Sequence, residues 1–530
     1  MKLAILHYHL NRGGVSQAIL NHLHALATLP DGQRPDEVAL LYSGRKEDWP
    51  SSVWKRSEWE GEPPFPVRLL AAQELEYDDA IHCDGPGLAD AVDGVLRGVG
   101  FTPDDTLLHS HNFALGKNAS LPDALRLLAQ RGYRQLLQLH DFAEDFRPSN
   151  YRHLMRATGS QSPAELAERL YPSASGMHYA TLNGRDHKIL LGAGVDPERL
   201  HLLSNPVIEF HGLPPRDEAR PRVCRQLGIS EDTRLVVYPV RGIRRKNVGE
   251  LLLYSALAGP GVCHALTLAP VNPAERISYD DWCELAEELQ LPCLLGIGDP
   301  LSRQGRDVEF YDALAASDAI ITTSVAEGFG MVFLEAWLVD RPLIGRNLGR
   351  ITSDFTEHGL RLGGLTDRLL VPGGWIDLDA AREEVLDLHS WACRDFGAPV
   401  PENPTEGWTY GPDVDFAALP RRFQADVIRH VTANPESARQ EMEQLNPGLA
   451  DRLSGVAAEG QPVAENAACV RKQFSPAAVG RRLSEIYTAI WADAPDNKTG
   501  GDRIDSLPDG EHILRSFLRL DRLFPVRLEP

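Results

Sequence analysis

Residues 317–346, SDAIITTSVAEGFGMVFLEAWLVDRPLIGR, set the fold class. Ala319-Ile320-Ile321 is a short apolar run of the kind that a parallel sheet buries. A turn carrying Glu327, Gly328, Phe329 and Gly330 follows. Residues 331–339 then read as a helix, which Arg341-Pro342 ends before Leu343-Ile344 opens the next strand. The unit is strand–loop–helix. Its loop lies at the carboxyl end of a parallel strand, where open α/β sheets bind ligands.

That loop has a chemistry. Two glycines let the backbone approach a ligand closely, and the first turn of the helix offers unpaired N–H groups that suit a phosphate. Glu327 would hang beside that turn. Glu335 would sit two turns on, roughly 12 Å along an ideal helix. A carboxylate only accepts hydrogen bonds, so each acid matches vicinal hydroxyls of a sugar or ribose. The string from Glu327 to Glu335, EGFGMVFLE, resembles the E-x7-E segment of retaining glycosyltransferases of the GT-B type, the large family-four group.

Composition frames this reading. A chain of 530 residues has room for at least two domains. With 43% apolar and 24% charged residues it reads as globular. A formal charge of −21 argues against a nucleic-acid surface and against adsorption on an anionic membrane. The seven cysteines contain no C-x-x-C pair, so neither a zinc site nor a disulfide framework is suggested. No apolar run reaches membrane-spanning length. The opening MKLAILHYHLNRGG holds too short an apolar stretch for a signal peptide, which predicts a cytoplasmic protein.

The first half alternates strands and helices. Residues 2–7 read as a strand, and Gly13-Gly14 then precede a helix over 16–29, a turn able to cradle an anion. The resemblance implies a glycine-rich loop at this place in contact with the donor. Strands are expected at 37–42, 67–70, 106–110, 134–139, 176–182 and 200–204. Those at 106–110 and 134–139 run into His109-Ser110-His111-Asn112 and His140-Asp141, so their histidines share one rim. His140-Asp141 resembles the pair that faces the donor sugar in the family. His109, His111 and Asp141 are then candidates for the acceptor side. H-x-H also suggests a metal, but the resemblance implies basic residues in place of a metal. Residues 141–156 read as a loop, and 211–221, with three prolines, as a linker.

The same grammar restarts after the linker. A strand at 235–238 leads to Arg241-Gly242-Ile243-Arg244-Arg245-Lys246 before a helix over 248–257. Arg241 and Lys246 match the R-x4-K pair that holds the donor diphosphate in retaining GT-B enzymes. The chemistry requires it, because a leaving nucleoside diphosphate gathers negative charge that a guanidinium fork and an ammonium stabilise. Arg244 and Arg245 read as solvated. Residues 373–473 depart from the family's compact ending and read as an insertion, a candidate lid or homo-oligomer contact. Residues 474–491 are an amphipathic helix in the place of the family's crossing helix, 497–510 a polar linker and 513–524 a last helix.

The expected architecture is α/β: two doubly wound Rossmann-like domains facing a cleft, with an insertion and a C-terminal crossing helix. Residues 1–212 would form the acceptor domain and 213–473 the donor domain, with 474–530 packing back on the first. The resemblance implies retaining, metal-independent transfer from a UDP-, GDP- or ADP-sugar to a hydroxyl acceptor, with no further cofactor. It places Arg241 and Lys246 on the diphosphate and Glu335 on the ribose. Glu327 goes to the donor sugar, Gly328, Phe329, Gly330 and Met331 to the sugar phosphate, and His140 beside the transferred sugar. A phosphorylase or trehalose synthase-like enzyme, a nucleotide-sugar epimerase and an inactive partner subunit are the alternatives.

Overall fold

The computed structural model describes residues 1–54, 63–299, 306–400, 408–454, 462–493 and 508–528. These fall into two compact units. One comprises Met1–Ile208, Ala392–Pro399 and Lys472–Leu518, the other Glu209–Trp391, Val400–Arg471 and Arg519–Pro530.

The first unit is built on a seven-stranded sheet of β1 (Lys2–Leu6), β2 (Glu37–Tyr42), β3 (Val67–Ala71), β4 (Thr106–His111), β5 (Arg134–Leu139), β6 (Met177–Thr181) and β7 (Leu200–Leu202). Its order is β3-β2-β1-β4-β5-β6-β7, and every neighbouring pair is parallel. β1, β2, β4 and β5 are buried along almost their whole length because helices cover both faces of a parallel sheet. The chain order reverses between β1 and β4, which makes their carboxyl ends a topological switch point. The helix Gly14–Ala27 follows β1. Its Ile19, Leu23 and Leu26 share a core with Val479, Leu483, Ile486 and Ile490 of the helix Pro476–Ala492.

The second unit repeats the plan. β8 (Arg234–Arg241), β9 (Val262–Leu268), β10 (Cys293–Leu295), β11 (Ala319–Thr322), β12 (Leu343–Arg346) and β13 (Leu365–Thr366) stand in the order β10-β9-β8-β11-β12-β13, again all parallel. Its switch point lies between β8 and β11. A small antiparallel sheet pairs β14 (Leu370–Pro372), just before the expected insertion, with β15 (Thr409–Tyr410) and β16 (Asp413–Asp415) inside it, where helices such as Arg421–Ala433 and Pro435–Leu445 also lie.

Several expectations need correction. The expected loop over 141–156 contains the helix Pro148–Thr158, and Pro163–Leu170 follows, capped by Ser162. Both begin with proline, whose missing N–H costs nothing in a first turn. The expected linker over 211–221 is half helix, because Arg216–Leu227 starts early and carries Pro221 inside it. The last helix is Gly510–Phe517, with only a 3₁₀ turn at Leu520–Arg522. The polar linker expected at 497–510 lies largely outside the described residues. Among the described residues no helix is long and apolar enough to cross a membrane.

Candidate functional site

The loops after β8 and β11 meet at the second unit's switch point. Backbone and side-chain bonds stitch them together: Val325 N donates to Arg245 O at 2.9 Å, and Thr323 Oγ1 to Lys246 O at 2.8 Å. This stitching brings Lys246 onto Glu327. The ammonium donates to Glu327 Oε1, which also accepts from Ser324 Oγ at 2.7 Å, while Arg245 Nη1 donates to Oε2 at 2.6 Å. Burial pushes the Glu327 carboxyl up, but Lys246 and then Arg245 pull it down to about 2, so it is ionised. Burial lowers the Lys246 pKa, and Glu327 opposes this. Arg245, expected to be solvated, is thus part of the cluster.

Arg241 ends β8 and donates to the Ala269 carbonyl at 2.9 Å. Glu335 lies in the first turn of a helix that begins only at Val332. The residues from Glu327 to Gly330 are loop, so the two acids do not stand two turns apart on one axis as expected. No hydrogen bond to the Glu335 carboxylate forms among the described residues, and burial pushes its pKa up to about 7 against the pull of Lys246. Gly330 has φ +88°, and a Cβ there would lie 2.6 Å from the Phe333 ring, so the turn requires glycine. Phe329 is buried edge-on against Phe355. Gly328 and Met331 complete the turn.

Behind the loop lies an ion cluster that the sequence did not announce. Arg346, 2% exposed, binds Glu250 through Nη2 at 2.7 Å and Asp415 through Nη2 at 2.8 Å. Asn247, in the left-handed region at φ 47°, donates to Glu250 at 3.0 Å. The cluster therefore ties β12 and β16 to the turn that carries Lys246. Burial opposes the Arg346 charge, but Asp415 and Glu250 hold its pKa above its ordinary value.

In the first unit the rim histidines are core side chains. His109 and His111 are 0% exposed, which corrects the expectation that they touch an acceptor. Side chains at i and i+2 of β4 share one face, and that face is covered by the helices. His109 bonds Tyr487 Oη at 2.9 Å and Gln138 Oε1 at 3.0 Å, and His111 Nδ1 bonds His140 Nε2 at 2.9 Å. Burial holds all three neutral, His140 down to about 4. Asp141 pairs with Arg147 at 2.8 Å, and its N–H donates to Asn112 Oδ1. His22, His109 and His111 hold ligand nitrogens within 4.8 Å of one another. His109 has both nitrogens engaged, however, and among the described residues no carboxylate joins the group to offset a dication, so the set fits a metal poorly.

At this unit's switch point a pocket of about 120 Å³ opens beside Gly13 and Gly14. A Cβ on Gly14 would meet nothing within 4 Å, so the chain itself does not demand glycine there. The helix Gly14–Ala27 begins without a side-chain cap and without an acid in its first turn.

No family model matches the chain. Along 98% of both chains it is 23% identical to the mannosylglucosyl-3-phosphoglycerate synthase of Petrotoga mobilis. It is 25% identical to the D-inositol 3-phosphate glycosyltransferase of Kribbella flavida over 229 residues, 42% of this chain and 49% of that one. The fold matches Anabaena HepE in complex with UDP at a TM-score of 0.50 and 15% identity, covering 92% of this chain and 100% of that one. The expected fold and the resemblance to GT-B glycosyltransferases therefore stand.

Proposed function

We propose that this glycosyltransferase of the GT-B fold moves a sugar from a nucleoside-diphosphate sugar to a hydroxyl acceptor, with retention at the anomeric carbon. One observation carries the reading: a buried lysine is paired with a buried acid at the switch point of the second sheet, where a ligand of an open α/β sheet binds. Lys246 and Arg241 take the diphosphate. Glu335, the acid with no hydrogen bond of its own among the described residues, takes the ribose hydroxyls. Glu327 orients Lys246 and offers its remaining lone pairs to the donor sugar. Gly13, Gly14 and the backbone from Gly328 through Phe329 and Gly330 to Met331 line the donor, His140 stands by the transferred sugar, and Asp141 serves the acceptor side.

As the bond from the anomeric carbon to the phosphate oxygen lengthens, negative charge gathers on the diphosphate. Preplaced cations in a partly dehydrated site stabilise that charge by several kcal/mol, on the order of 3 for one well-placed donor. The same cations take the place of a divalent metal. The departing phosphate oxygen accepts the acceptor's proton on the face it leaves, so the new bond forms on that face and configuration is retained. No side chain is assigned a covalent role. The Petrotoga relative is named for a phosphorylated product, and we take a phosphorylated hydroxy-acid glycoside as the acceptor class here.

The test incubates the protein with UDP-, GDP- and ADP-sugars and glucosyl-3-phosphoglycerate, which is one mannosyl unit short of the relative's product. NMR then reads the anomeric configuration. An α-linked product from an α-linked donor, unaffected by EDTA and lost in Lys246→Ala, is expected. An inverted product, strict metal dependence or an active Lys246→Ala enzyme refutes the assignment.

A further inference from the structure

The pocket at the first unit's switch point is lined by His7, His9, Gly14, Tyr77, Asn112 and their neighbours, and among the described residues no acid lines it in a chain of charge −21. Two of its walls are polar side chains more than nine-tenths buried, His7 at 5% exposure and Asn112 at 3%. Each uses one polar atom inward. His7 Nδ1 lies 3.3 Å from the His111 carbonyl. A carbonyl only accepts, so Nδ1 carries the proton and Nε2 holds a lone pair. Asn112 Oδ1 accepts from Asp141 N at 3.0 Å, which leaves its Nδ2 as a donor. Among the described residues neither His7 Nε2 nor Asn112 Nδ2 has a hydrogen-bond partner, and neither is sealed from solvent. His7 is anchored on the carbonyl that immediately precedes Asn112, and both side chains line this one pocket.

One acceptor beside one donor is the complement of a hydroxyl, which gives a hydrogen bond and takes one. An anion alone would leave the His7 lone pair facing like charge. A cation lies against one of the lining residues. Tyr77, bonded to His9 Nε2 at 2.9 Å, has the Lys117 ammonium 5.3 Å from its ring. Lys117 forms no ion pair among the described residues, whereas Arg45 on the same ring is held by Glu76. Burial lowers the Lys117 pKa and Arg147 adds to this, so the ammonium gains from an incoming anion. The uncapped first turn of Gly14–Ala27 opens on the same space.

We propose that this pocket is an acceptor subsite in which Asn112 Nδ2 donates to, and His7 Nε2 accepts from, one hydroxyl of a sugar-like acceptor. Lys117 meets an anionic group, phosphate or carboxylate, on the same molecule. The proposal rests on the glycosyltransferase reading and names its acceptor chemistry. His7 and Asn112 select and hold the hydroxyl. Burial keeps His7 neutral, down to about 3, so it is a poor resting place for the proton.

Isothermal titration of the full chain with glucosyl-3-phosphoglycerate, in the presence of the nucleoside diphosphate that raises its unfolding temperature, tests this. His7→Asn keeps the inward donor and removes Nε2. Asn112→Asp keeps the inward acceptor, tolerates φ 59° and removes the amide donor. Each is expected to weaken the probe ~10-fold or more while leaving nucleotide affinity and unfolding temperature close to wild type. Lys117→Gln is expected to weaken the phosphorylated probe ~10-fold but not its dephosphorylated form. Dephosphorylated and carboxyl-reduced probes separate the two anions. Wild-type affinity in His7→Asn and Asn112→Asp overturns the proposal, as does failure of the probe to bind at millimolar concentration to nucleotide-loaded protein. Failure of every nucleoside diphosphate to bind overturns the donor reading itself.

Discussion

Glu335→Gln separates folding from function at one atom. The Glu335 carboxyl is raised from 4.5 to about 7 by burial, so in the folded chain its charged form is disfavoured. That displacement corresponds to ~3 kcal/mol for a fully dry group. Glu335 keeps part of its surface open, and screening reduces the figure to ~1–2 kcal/mol. The sign follows from the direction. With the folded pKa above the unfolded one, stability is complete below pH 4.5 and is lost as pH rises through 7. Gln does not titrate and has nearly the same shape. The variant is therefore expected to match wild type at pH 5 and to unfold ~2–6 °C higher at pH 8.5, read by scanning calorimetry. At the same pH it should bind nucleoside diphosphate ~10-fold or more weakly, because an amide offers the two ribose hydroxyls one neutral acceptor oxygen where a carboxylate offers two charged ones. An equal temperature difference at both pH values, or a variant less stable at pH 8.5, refutes the electrostatic argument. Unchanged nucleotide affinity refutes the ribose assignment.

Two further substitutions separate ligand space from architecture. Gly14→Ala has room for its methyl and should fold with an unchanged unfolding temperature while weakening ligand binding at the pocket, measured by calorimetric titration. Gly330→Ala combines φ +88° with a collision against Phe333 and should lower stability by ~1–3 kcal/mol in urea unfolding. Arg346→Met leaves Glu250 and Asp415 facing each other without their cation, and urea unfolding should show a loss of ~3–5 kcal/mol.

The local signals in the sequence sufficed for the parallel strands, the loops at their carboxyl ends, and the charged residues that those loops carry. Apolar runs of four to six residues punctuated by glycine and proline are readable without neighbours, since burial on both faces of a sheet leaves its mark on each strand separately. Arg241, Lys246, Glu327 and Glu335 were legible for this reason, and the resemblance to GT-B glycosyltransferases rested on them. Helices begun by Pro148 and Pro163 were less legible, because proline serves a first turn and a loop alike.

What the sequence could not supply was the partner of each polar atom, since that depends on which strands become neighbours. His109 and His111 looked like rim residues until helices covered their face of β4. Arg245 looked solvated until the loop after β11 brought Glu327 against it. Arg346 finds Glu250 and Asp415, residues 96 and 69 positions away, only through packing. His7 and Asn112, 105 residues apart by number, come to line one pocket because β1 and β4 lie side by side where the strand order reverses. Residue type and spacing along the chain thus decided the elements and the ionisable groups. Strand order decided which lone pairs and N–H groups were left open to a ligand.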